Sequence, residues 1–301
     1  MEKATQKKIK KLKKKFRGKA LKITIILAVL VLLISFFSVV TWQIYTRGSQ
    51  SDLIEKVCKI IPYPAARVNN TFITYYDFLQ TFEAAQKFYN KQSAVDISES
   101  ELKKMVLEKR LINNVLIQKV ANDYNINVSQ AEINQEVEKI ITNKGSQEEF
   151  EEFLADFYDL NLAQYKEYFI KPNLYYEKTN QAVIDDDSLN GQAKKDIQQA
   201  LNRLRNGDDF YKLIEEYNGN ANQQFKRGQL PAELEDELFN MEAGEFTDVM
   251  ALAGDYQIIK LEDKNLETGN FILSFIVVET TALNDLLAEQ KQKADIVIYI
   301  D

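Results

Sequence analysis

The sequence contains no histidine among its 301 residues. Without an imidazole, a Ser-His-Asp or Cys-His nucleophile, a histidine-type zinc site and a histidine proton shuttle are all excluded. Carboxylates, lysines and tyrosines are the side chains that remain for acid–base chemistry. The composition therefore favours a binding function over an enzymatic one.

Cysteine, proline and glycine are scarce as well, with one, four and ten residues respectively. The single cysteine, Cys58, cannot form a disulfide within the chain and cannot build a thiolate zinc site alone. We expect it to be a small apolar residue of the fold. The low proline and glycine content favours helices over a loop-rich β architecture. No metal and no cofactor are expected.

One long apolar run stands near the N-terminus, behind a basic segment. Residues 1–22 carry eleven Lys and Arg residues against one acid, Glu2. The next twenty residues, ITIILAVLVLLISFFSVVTW, are uncharged, and as a helix they would span about 30 Å, the thickness of a hydrocarbon core. Trp42 and Tyr45 stand at its end, where interfacial aromatic residues anchor a span. We therefore predict a basic cytoplasmic tail over 1–22 and a transmembrane helix over 23–45.

A cleaved signal peptide is the alternative interpretation of this run. The apolar part of a signal peptide usually has about 7–15 residues and is followed by a small-residue cleavage site. The run is longer here, and no clear Ala-x-Ala site follows it. An uncleaved single-pass anchor in the cell membrane is therefore expected. The basic side should stay in the cytoplasm, so the C-terminal part would lie on the periplasmic or cell-wall side.

The charge differs strongly between the two sides of the predicted anchor. Residues 1–22 carry a net charge of +10 and the whole chain carries −7, so the remainder carries −17. Such an acidic domain is a poor binder of nucleic acid, and no nucleic-acid partner is expected. The Lys and Arg residues of 3–22 are expected to contact anionic lipid head groups.

Turn and helix signals follow the anchor. Residues 46–66 are predicted to be a short tether, in which one helical turn is compatible with the sequence. In the stretch RVNNTFITYYDFLQTF, Arg67–Phe82, the pair Asn69-Asn70 predicts a tight turn between two short strands, because asparagine tolerates a positive φ. Thr74 with Asp77 predicts that a helix begins directly after the second strand.

Helices are predicted to continue to about residue 184. A Ser-x-x-Glu capping signature occurs three times, at Ser98, Ser129 and Ser146. Apolar residues recur at helical spacing over roughly 99–123 and 130–142. The helix predicted over 162–184 contains Pro172, so we expect a kink or break just before it. Residues 184–191, IDDDSLNG, are predicted to be a linker.

Short strands interleaved with helices are predicted from residue 192 onward. The run 271–280, FILSFIVVET, is apolar on both faces and predicts a central strand. A helix and a last strand, ADIVIYI, follow it. The chain is therefore predicted to be an α+β protein, with a mostly helical domain over 67–187 and a smaller α+β module over 188–301.

The stretch RVNNTFITYYDF resembles the opening of SurA-type and trigger-factor-like chaperone domains, in which a VNG-x-x-I-T-x-x-x-F segment precedes a helical bundle. The residues that fit this segment are Val68, Asn69, Ile73, Thr74 and Phe78. Asn70 stands where glycine is usual. The helices predicted over 99–123 and 130–142 match the order of that bundle. The resemblance implies a SurA-like helical chaperone domain.

Residues 207–263 resemble the central and C-terminal part of a parvulin-type peptidyl-prolyl isomerase. The residues that carry this resemblance are Asp209, Phe210, Arg227, Gly228, Gln229, Glu233, Glu235, Phe239, Gly244, Glu245, Ile258, Ile259 and Lys260. The order of the two modules behind a single anchor is similar to that of PpiD- and PrsA-like folding factors.

The chain departs from the parvulin pattern at the active site. Parvulins begin with a histidine-bearing strand where this chain has IDDDSLNGQAKKD, and their last strand carries Gly-Tyr-His where this chain has Asp255-Tyr256-Gln257. Leu234 stands where a bulky Phe lines the proline pocket. The resemblance therefore implies a degenerate pocket without a catalytic residue. Its candidate lining residues are Leu234, Phe239, Met250, Tyr256 and Gln257.

The apolar run 271–279 suggests a replacement for the missing first strand. It follows the strand of Gln257 after a turn around Glu267–Gly269. We expect a hairpin that lays the run beside that strand, in the position that parvulins give to their first strand. The parvulin-like antiparallel sheet would then be permuted, and the ADIVIYI strand would close it.

Aromatic residues suggest a surface for client segments, because exposed aromatic patches bind apolar chains without strict sequence demand. The expected client-binding residues are Phe78, Phe82, Tyr165, Tyr168, Phe169, Tyr175 and Tyr176. A place in the core is the competing interpretation for each of them. Two acidic runs, 185–187 and 233–239, would suit Ca²⁺ binding or acid–base chemistry, but a solvated surface is favoured for both.

The sequence thus predicts a membrane-anchored extracytoplasmic chaperone that binds unfolded or nascent exported polypeptides. Its parvulin-like module is predicted to be catalytically inactive. Two alternatives stay open. One is a divergent but active prolyl isomerase that uses Met250, Tyr256 and Gln257. The other is an envelope scaffold with one fixed partner.

Overall fold

The computed structural model describes residues 2–91, 97–252, 254–265 and 268–300, and within these ranges all side chains except those of residues 2–23, 144, 232 and 233. Helices and two small antiparallel sheets make up the described chain, so the predicted α+β class is confirmed. The chain forms two compact units. The first holds Met1–Ile112 and Asp295–Asp301, and the second holds Asn113–Ala294.

In chain order, the elements are α1 (Glu2–Arg47), α2 (Asp52–Ile60), β1 (Pro64–Val68), β2 (Thr71–Thr74), α3 (Tyr75–Lys91), α4 (Glu99–Lys104), the π-helical segment π1 (Met105–Leu111), α5 (Ile112–Asp123), α6 (Gln130–Lys144), α7 (Gln147–Tyr158), α8 (Leu162–Tyr165), the π-helical segment π2 (Lys166–Ile170), α9 (Lys171–Ile184), α10 (Asp187–Arg205), α11 (Phe210–Glu216), β3 (Asn220–Lys226), α12 (Ala232–Asn240), β4 (Met250–Leu252), β5 (Asp255–Asn265), β6 (Asn270–Val278), α13 (Leu283–Lys293) and β7 (Ile296–Ile298).

The sheet of the first unit has the strand order β2-β1-β7. The predicted strand, turn, strand and helix are all present, and Asn69 has the positive φ of 53° that the turn requires. The prediction that ADIVIYI closes the parvulin-like sheet is wrong, because β7 pairs with β1 instead. An ion pair at 2.9 Å between Arg67 and Asp295 and a bond from the Asn69 amide to the Asp295 carbonyl stabilise this register.

The segment predicted as a tether is packed into the first unit. Its nine-residue helix α2 buries Ile54 and Cys58, which are spaced i, i+4 on one face. The end of α1 takes part in the same core, since Val40 and Ile44 are only 2% and 1% exposed. Because both helices bury apolar residues in this core, residues 46–66 include a packed part of the first unit. The prediction that they form only a tether is therefore wrong.

The helical part of the second unit has a core of its own between α6, α7, π2 and α9. The capping boxes predicted at Ser129 and Ser146 are formed, as is the one at Ser98 in the first unit. Where a kink or break was expected just before Pro172, the helix instead continues through the π-helical segment π2 into α9. Proline has no amide hydrogen and its ring clashes with the carbonyl four residues earlier, which a π-helical widening relieves.

The prediction of a linker over 184–191 is wrong. Helix α10 begins at Asp187, and the Asp186 carboxylate caps it by accepting from the Ser188 amide at 2.8 Å. The buried Asn190 amide then donates to the carbonyl of Val183, at the end of α9. Polar residues that look like a solvated linker in sequence thus form a helix junction.

The sheet of the second unit has the strand order β3-β6-β5-β4, with all neighbours antiparallel. The predicted hairpin is confirmed, since β6 pairs with β5 from Tyr256↔Val278 to Asn265↔Asn270. The turn residue Glu267 lies outside the described residues. Strand β6 is central and buried on both faces. Helices α10 and α11 cover one face of the sheet, and α12 covers the other.

Candidate functional site

The degenerate proline pocket expected from the sequence is divided between the two faces of this sheet. Tyr256 packs with Ile258 under α10 and α11, whereas Gln257 points to the opposite face because side chains alternate along a strand. The Tyr256 hydroxyl donates to the Ile184 carbonyl at 3.0 Å, and burial raises the pKa of this phenol. Tyr256 is therefore a structural residue of the α10 face and does not join the other four candidates.

The other four candidates lie on the α12 face. Leu234 is 1% exposed and packs in the core beneath α12, while Met250 and Phe239 are half-buried against that core. Met250 is the direct partner of Gln257 across β4 and β5. The Gln257 side-chain amide donates to the Leu252 carbonyl at 3.2 Å. None of these four side chains is ionisable, so the four can bury apolar groups and form hydrogen bonds but cannot transfer a proton.

Two charged residues near α12 have structural partners. Glu235 is 8% exposed, and its carboxylate accepts hydrogen bonds from the backbone amides of Gly228 and Leu230 at 2.6 and 3.4 Å. The Lys264 ammonium donates to the carbonyls of Phe239 and Met241, which end α12. Glu235 thus orders the loop before the helix, which explains an acid that the sequence analysis assigned to a solvated surface. The side chain of Glu233 is not among those described.

A cluster of half-buried aromatic rings lies on α7, α8 and π2. We call it the aromatic surface, and its members are Phe153, Phe157, Tyr158, Tyr165 and Phe169. Their neighbouring ring centroids are between 4.7 and 5.9 Å apart. Stacked and edge-on pairs at such distances stabilise each other. Three of the rings, those of Phe153, Tyr158 and Tyr165, pack against the core that contains the fully buried Phe150 and Leu154.

Only two of the seven predicted client-binding residues, Tyr165 and Phe169, belong to this surface. Phe78 and Phe82 are 3% and 0% exposed in the core of the first unit, where their rings stack at 5.6 Å. The remaining three, Tyr168, Tyr175 and Tyr176, are half-buried. The three rings of α7 were not in the predicted set. The i, i+4 spacing of Phe153 and Phe157 is the sequence signal that could have indicated them.

The acidic run 185–187 is accounted for by contacts within the protein. Asp185 accepts from the Gln181 amide, Asp186 caps α10 and accepts from the Tyr124 hydroxyl, and Asp187 pairs with Lys194 at 3.2 Å. Hydrogen bonds to Ser188 and Tyr124 lower the pKa of the Asp186 carboxyl. Within the described ranges, no group of three or more His, Cys, Asp or Glu side chains could hold a metal ion.

Among the described residues, one helical stretch, Thr24–Arg47, is long and apolar enough to cross a membrane. A membrane anchor and a signal sequence both satisfy this criterion. The last turns of the stretch are nonetheless part of the folded core through Val40 and Ile44. The Tyr45 hydroxyl also donates to the Pro64 carbonyl at 3.0 Å.

Comparison with known proteins agrees with this arrangement. The model of the SurA-like N-terminal domain matches residues 9–180, more than half of the chain. The chain belongs to the family of proteins with a SurA-like N-terminal domain. The PPIC-type peptidyl-prolyl isomerase domain matches residues 178–263. That match ends before β6, so one of the two inner strands of the sheet lies outside the residues that resemble the isomerase domain.

Two curated relatives are foldase proteins of Bacillus cereus. Foldase protein PrsA 4 is 24% identical over 192 residues, which are 56% of this chain and 67% of that protein. Foldase protein PrsA 3 is 24% identical over 200 residues, which are 60% of this chain and 66% of that protein. The match spans about two thirds of each relative's length. The predicted similarity to SurA- and PrsA-like folding factors is confirmed, and with it membership in a chaperone and foldase family.

Proposed function

We propose that this protein is a membrane-anchored extracytoplasmic chaperone that holds unfolded or nascent exported polypeptides, and that its isomerase-like module is catalytically inactive. The observation that carries the proposal is the aromatic surface of α7, α8 and π2. Its half-buried rings offer apolar area in a fixed arrangement, so little conformational entropy is lost when a client segment binds. Contact with ring faces places few demands on the client's sequence.

The charge of the chain supports reversible holding. Outside the basic segment, the protein carries a net charge of −17. A large net charge of one sign keeps a protein soluble and discourages association between complexes. A client held on an acidic carrier is thus less exposed to aggregation with other clients.

The isomerase-like module lacks the groups that the family's chemistry implies. The barrier to rotation about a peptide bond is about 20 kcal/mol, and lowering it requires groups positioned around the prolyl bond. The chain has no histidine, Gln257 offers an amide, and the Tyr256 hydroxyl is bonded to Ile184 on the opposite face of the sheet. The module is better suited to a structural role, or to binding extended chain, than to turnover.

The anchor is proposed to be retained in the mature protein, with the N-terminus in the cytoplasm. Cleavage directly after the apolar run, which ends at Trp42, would remove Val40 from the core of the first unit. The basic residues of 3–22 would contact anionic lipid heads on the cytoplasmic side.

Two assays on the full chain in lipid nanodiscs test this function. Aggregation of several unrelated unfolded clients should be suppressed at stoichiometric amounts, because holding is not catalytic. A protease-coupled assay on proline peptides should give rates equal to those with empty nanodiscs. Suppression with a single client only would instead indicate a scaffold with one fixed partner.

A divergent but active prolyl isomerase is the second candidate, favoured by the isomerase-domain match over 178–263. In that case Met250 and Gln257 would line the proline site. Isomerisation clearly above background would establish this candidate. Gln257→Ala and Met250→Ala should then reduce it, while Tyr211→Ala, on the opposite side of the sheet, should not.

A further inference from the structure

Helix α2 has one apolar face in the core and a second one in solvent. Ile54 and Cys58 are buried at 3% and 2% exposure. On the outer side, Leu53 and Ile60 are 60% and 82% exposed. They are seven residues apart and therefore lie on the same side of the helix. Leu53 and Ile60 thus form an exposed aliphatic pair on the side of α2 that does not face the core.

Helix α2 is held beside the end of α1. The link between the helices is short, and the amides of Gly48 and Ser49 donate to the carbonyls of Ile44 and Gln43 at 3.2 and 3.0 Å. The buried residues of the two helices belong to the same unit. Helix α2 therefore cannot move far from the last turns of α1.

The end of α1 has the features of a membrane–water boundary. Trp42 is 45% exposed, and the Arg47 guanidinium lies 4.4 Å from the centre of its indole ring. Tryptophan and arginine are typical of the interface, where the indole lies among head groups and the guanidinium reaches water or phosphate. If α1 spans the bilayer, α2 lies at the depth of this boundary.

We propose that the outer face of α2, formed by Leu53, Lys56, Lys59 and Ile60, is embedded in the interfacial zone of the bilayer. This inference rests on the proposed anchor. The aliphatic side chains enter the boundary of the acyl chains, and the exposed Lys56 and Lys59 extend to anionic head groups. The span and α2 are then two contacts of one folded unit with the same membrane. Two contacts fix the orientation of the first unit at the surface, whereas a flexible tether would leave it free.

The test uses the full chain in vesicles of phosphatidylcholine and phosphatidylglycerol. In a Cys58→Ser background, an environment-sensitive dye is attached to Leu53→Cys, to Ile60→Cys or to Leu189→Cys. Leu189 is a matched control, since it is an exposed leucine at 41% exposure on α10 of the second unit. Quenching by brominated lipids reports contact with acyl chains, and quenching by iodide reports contact with water. Quenching of Trp42 by the same lipids reports separately whether the anchor is inserted.

We expect the dyes at 53 and 60 to emit at shorter wavelength, to be quenched by brominated lipid and to be shielded from iodide. The dye at 189 should emit at longer wavelength, should not be quenched by brominated lipid and should be quenched by iodide. With Trp42 quenched, iodide access at 53 and 60 would overturn the docking of α2 while leaving the anchor intact. Shielding from iodide without quenching by lipid would also overturn it, because a second copy of the chain would then cover the face. If Trp42 itself is not quenched, the anchor and this docking both fail.

Because Cys58 is buried, the comparison is repeated with that residue intact. Ile60→Trp and Leu189→Trp in a Trp42→Phe background should again differ in quenching by brominated lipid. Equal quenching at both positions would contradict the proposal regardless of how the Cys58→Ser variant folds.

Discussion

At the scale of single residues, a few buried polar side chains join segments that are distant in sequence. The side chain of Asn190 is 2% exposed. Its amide nitrogen donates to the carbonyls of Val183, Ile184 and Thr281, and its oxygen accepts from the Thr281 amide at 2.7 Å. One amide group thus connects the end of α9, the start of α10 and the chain that follows β6.

Replacing Asn190 by alanine should lower the free energy of unfolding by about 1–3 kcal/mol, because backbone groups would be left buried without a partner. Chemical denaturation of the full chain in nanodiscs, followed by circular dichroism, measures this change. The matched control is Asn202→Ala, at an exposed position of the same helix α10, which should have little effect. Equal effects of both variants would show that Asn190 does not join the segments energetically.

Glu132 is expected to make the free energy of unfolding depend on pH. Glu132 accepts a hydrogen bond from the Lys178 ammonium and two more, at 2.7 Å each, from the hydroxyl and the amide of Ser129. The Lys178 and Ser129 bonds favour the ionised carboxylate and lower the pKa of Glu132 to about 2. In an unfolded chain the pKa of glutamate is about 4.3. The pKa of Glu132 is thus lower in the folded state than in the unfolded state. The ionised Glu132 carboxylate therefore stabilises the fold fully above about pH 4.3, and this stabilisation is lost as the pH falls toward 2.

The variant Glu132→Gln should therefore melt at a lower temperature than the parent protein at pH 7, and the difference should shrink between about pH 4.3 and 2. Thermal unfolding over this range of pH measures it. Glu138→Gln, at an exposed position of the same helix, serves as the control and should show no such convergence. A difference that stays constant down to pH 2 would contradict the role assigned to the carboxylate.

At the scale of elements, α1 combines two tasks. Its middle has apolar side chains that are exposed in the protein, such as Ile34 at 64%, while its end contributes Val40 and Ile44 to a core. An apolar span alone accounts for the first property. The burial of Val40 and Ile44 requires α2, β1 and α3 to pack around the end of α1. One hydrogen bond of this packing runs from the Tyr75 hydroxyl to the Ser49 carbonyl at 3.2 Å.

Ile44→Ala should destabilise the first unit by about 2–5 kcal/mol, the usual cost of removing a buried aliphatic side chain. Hydrogen–deuterium exchange of the full chain in nanodiscs should show faster exchange of the amides of α2 and β1. Ile34→Ala removes the same atoms from the exposed part of the helix and should leave these amides protected. Similar exchange in both variants would mean that α1 ends outside the core.

At the scale of the whole molecule, the proposed function depends on a surface that no single element forms. The aromatic surface draws rings from α7, α8 and π2, and Pro172 is the second residue of the helix α9 that follows π2. The widened turn places Phe169 against both Tyr158 and Tyr165, at ring distances of 5.5 and 5.2 Å.

The double variant Phe157→Ala with Phe169→Ala should weaken client holding. Each ring is expected to contribute on the order of 1 kcal/mol to binding, so client affinity should fall roughly tenfold or more. Suppression of client aggregation as a function of chaperone concentration measures the loss, and denaturation confirms that the variant is folded. Tyr211→Ala removes an aromatic residue that is 39% exposed elsewhere in the second unit and should leave suppression unchanged. If the double variant suppressed client aggregation as well as the parent protein does, clients would have to bind at another surface.

Local signals in the sequence were sufficient for much of the helical part. The Ser-x-x-Glu capping boxes and the Asn69 turn depend on neighbours within a few residues, and each was predicted correctly. The helix junction at 184–191 was not predicted, because Asp186 acts partly through the distant Tyr124 and Asn190 acts through the end of α9 and the segment after β6. Strand β3 was also not predicted, since its residues, NANQQFK, are mostly polar and pair as an edge strand with the apolar β6.

By itself, the sequence determined the α+β class, the apolar helix behind a basic segment, the hairpin of β5 and β6 and the absence of imidazole chemistry, because each follows from composition or from short-range patterns. Only the tertiary structure decided that β7 pairs with β1, that Tyr256 and Gln257 serve opposite faces of one sheet, and that the rings of α7 rather than Phe78 and Phe82 form the half-buried aromatic surface. Those outcomes depend on which of several distant segments pairs with a given strand edge or packs into a given core. Packing over the whole unit decides this, and short-range sequence patterns do not contain that information.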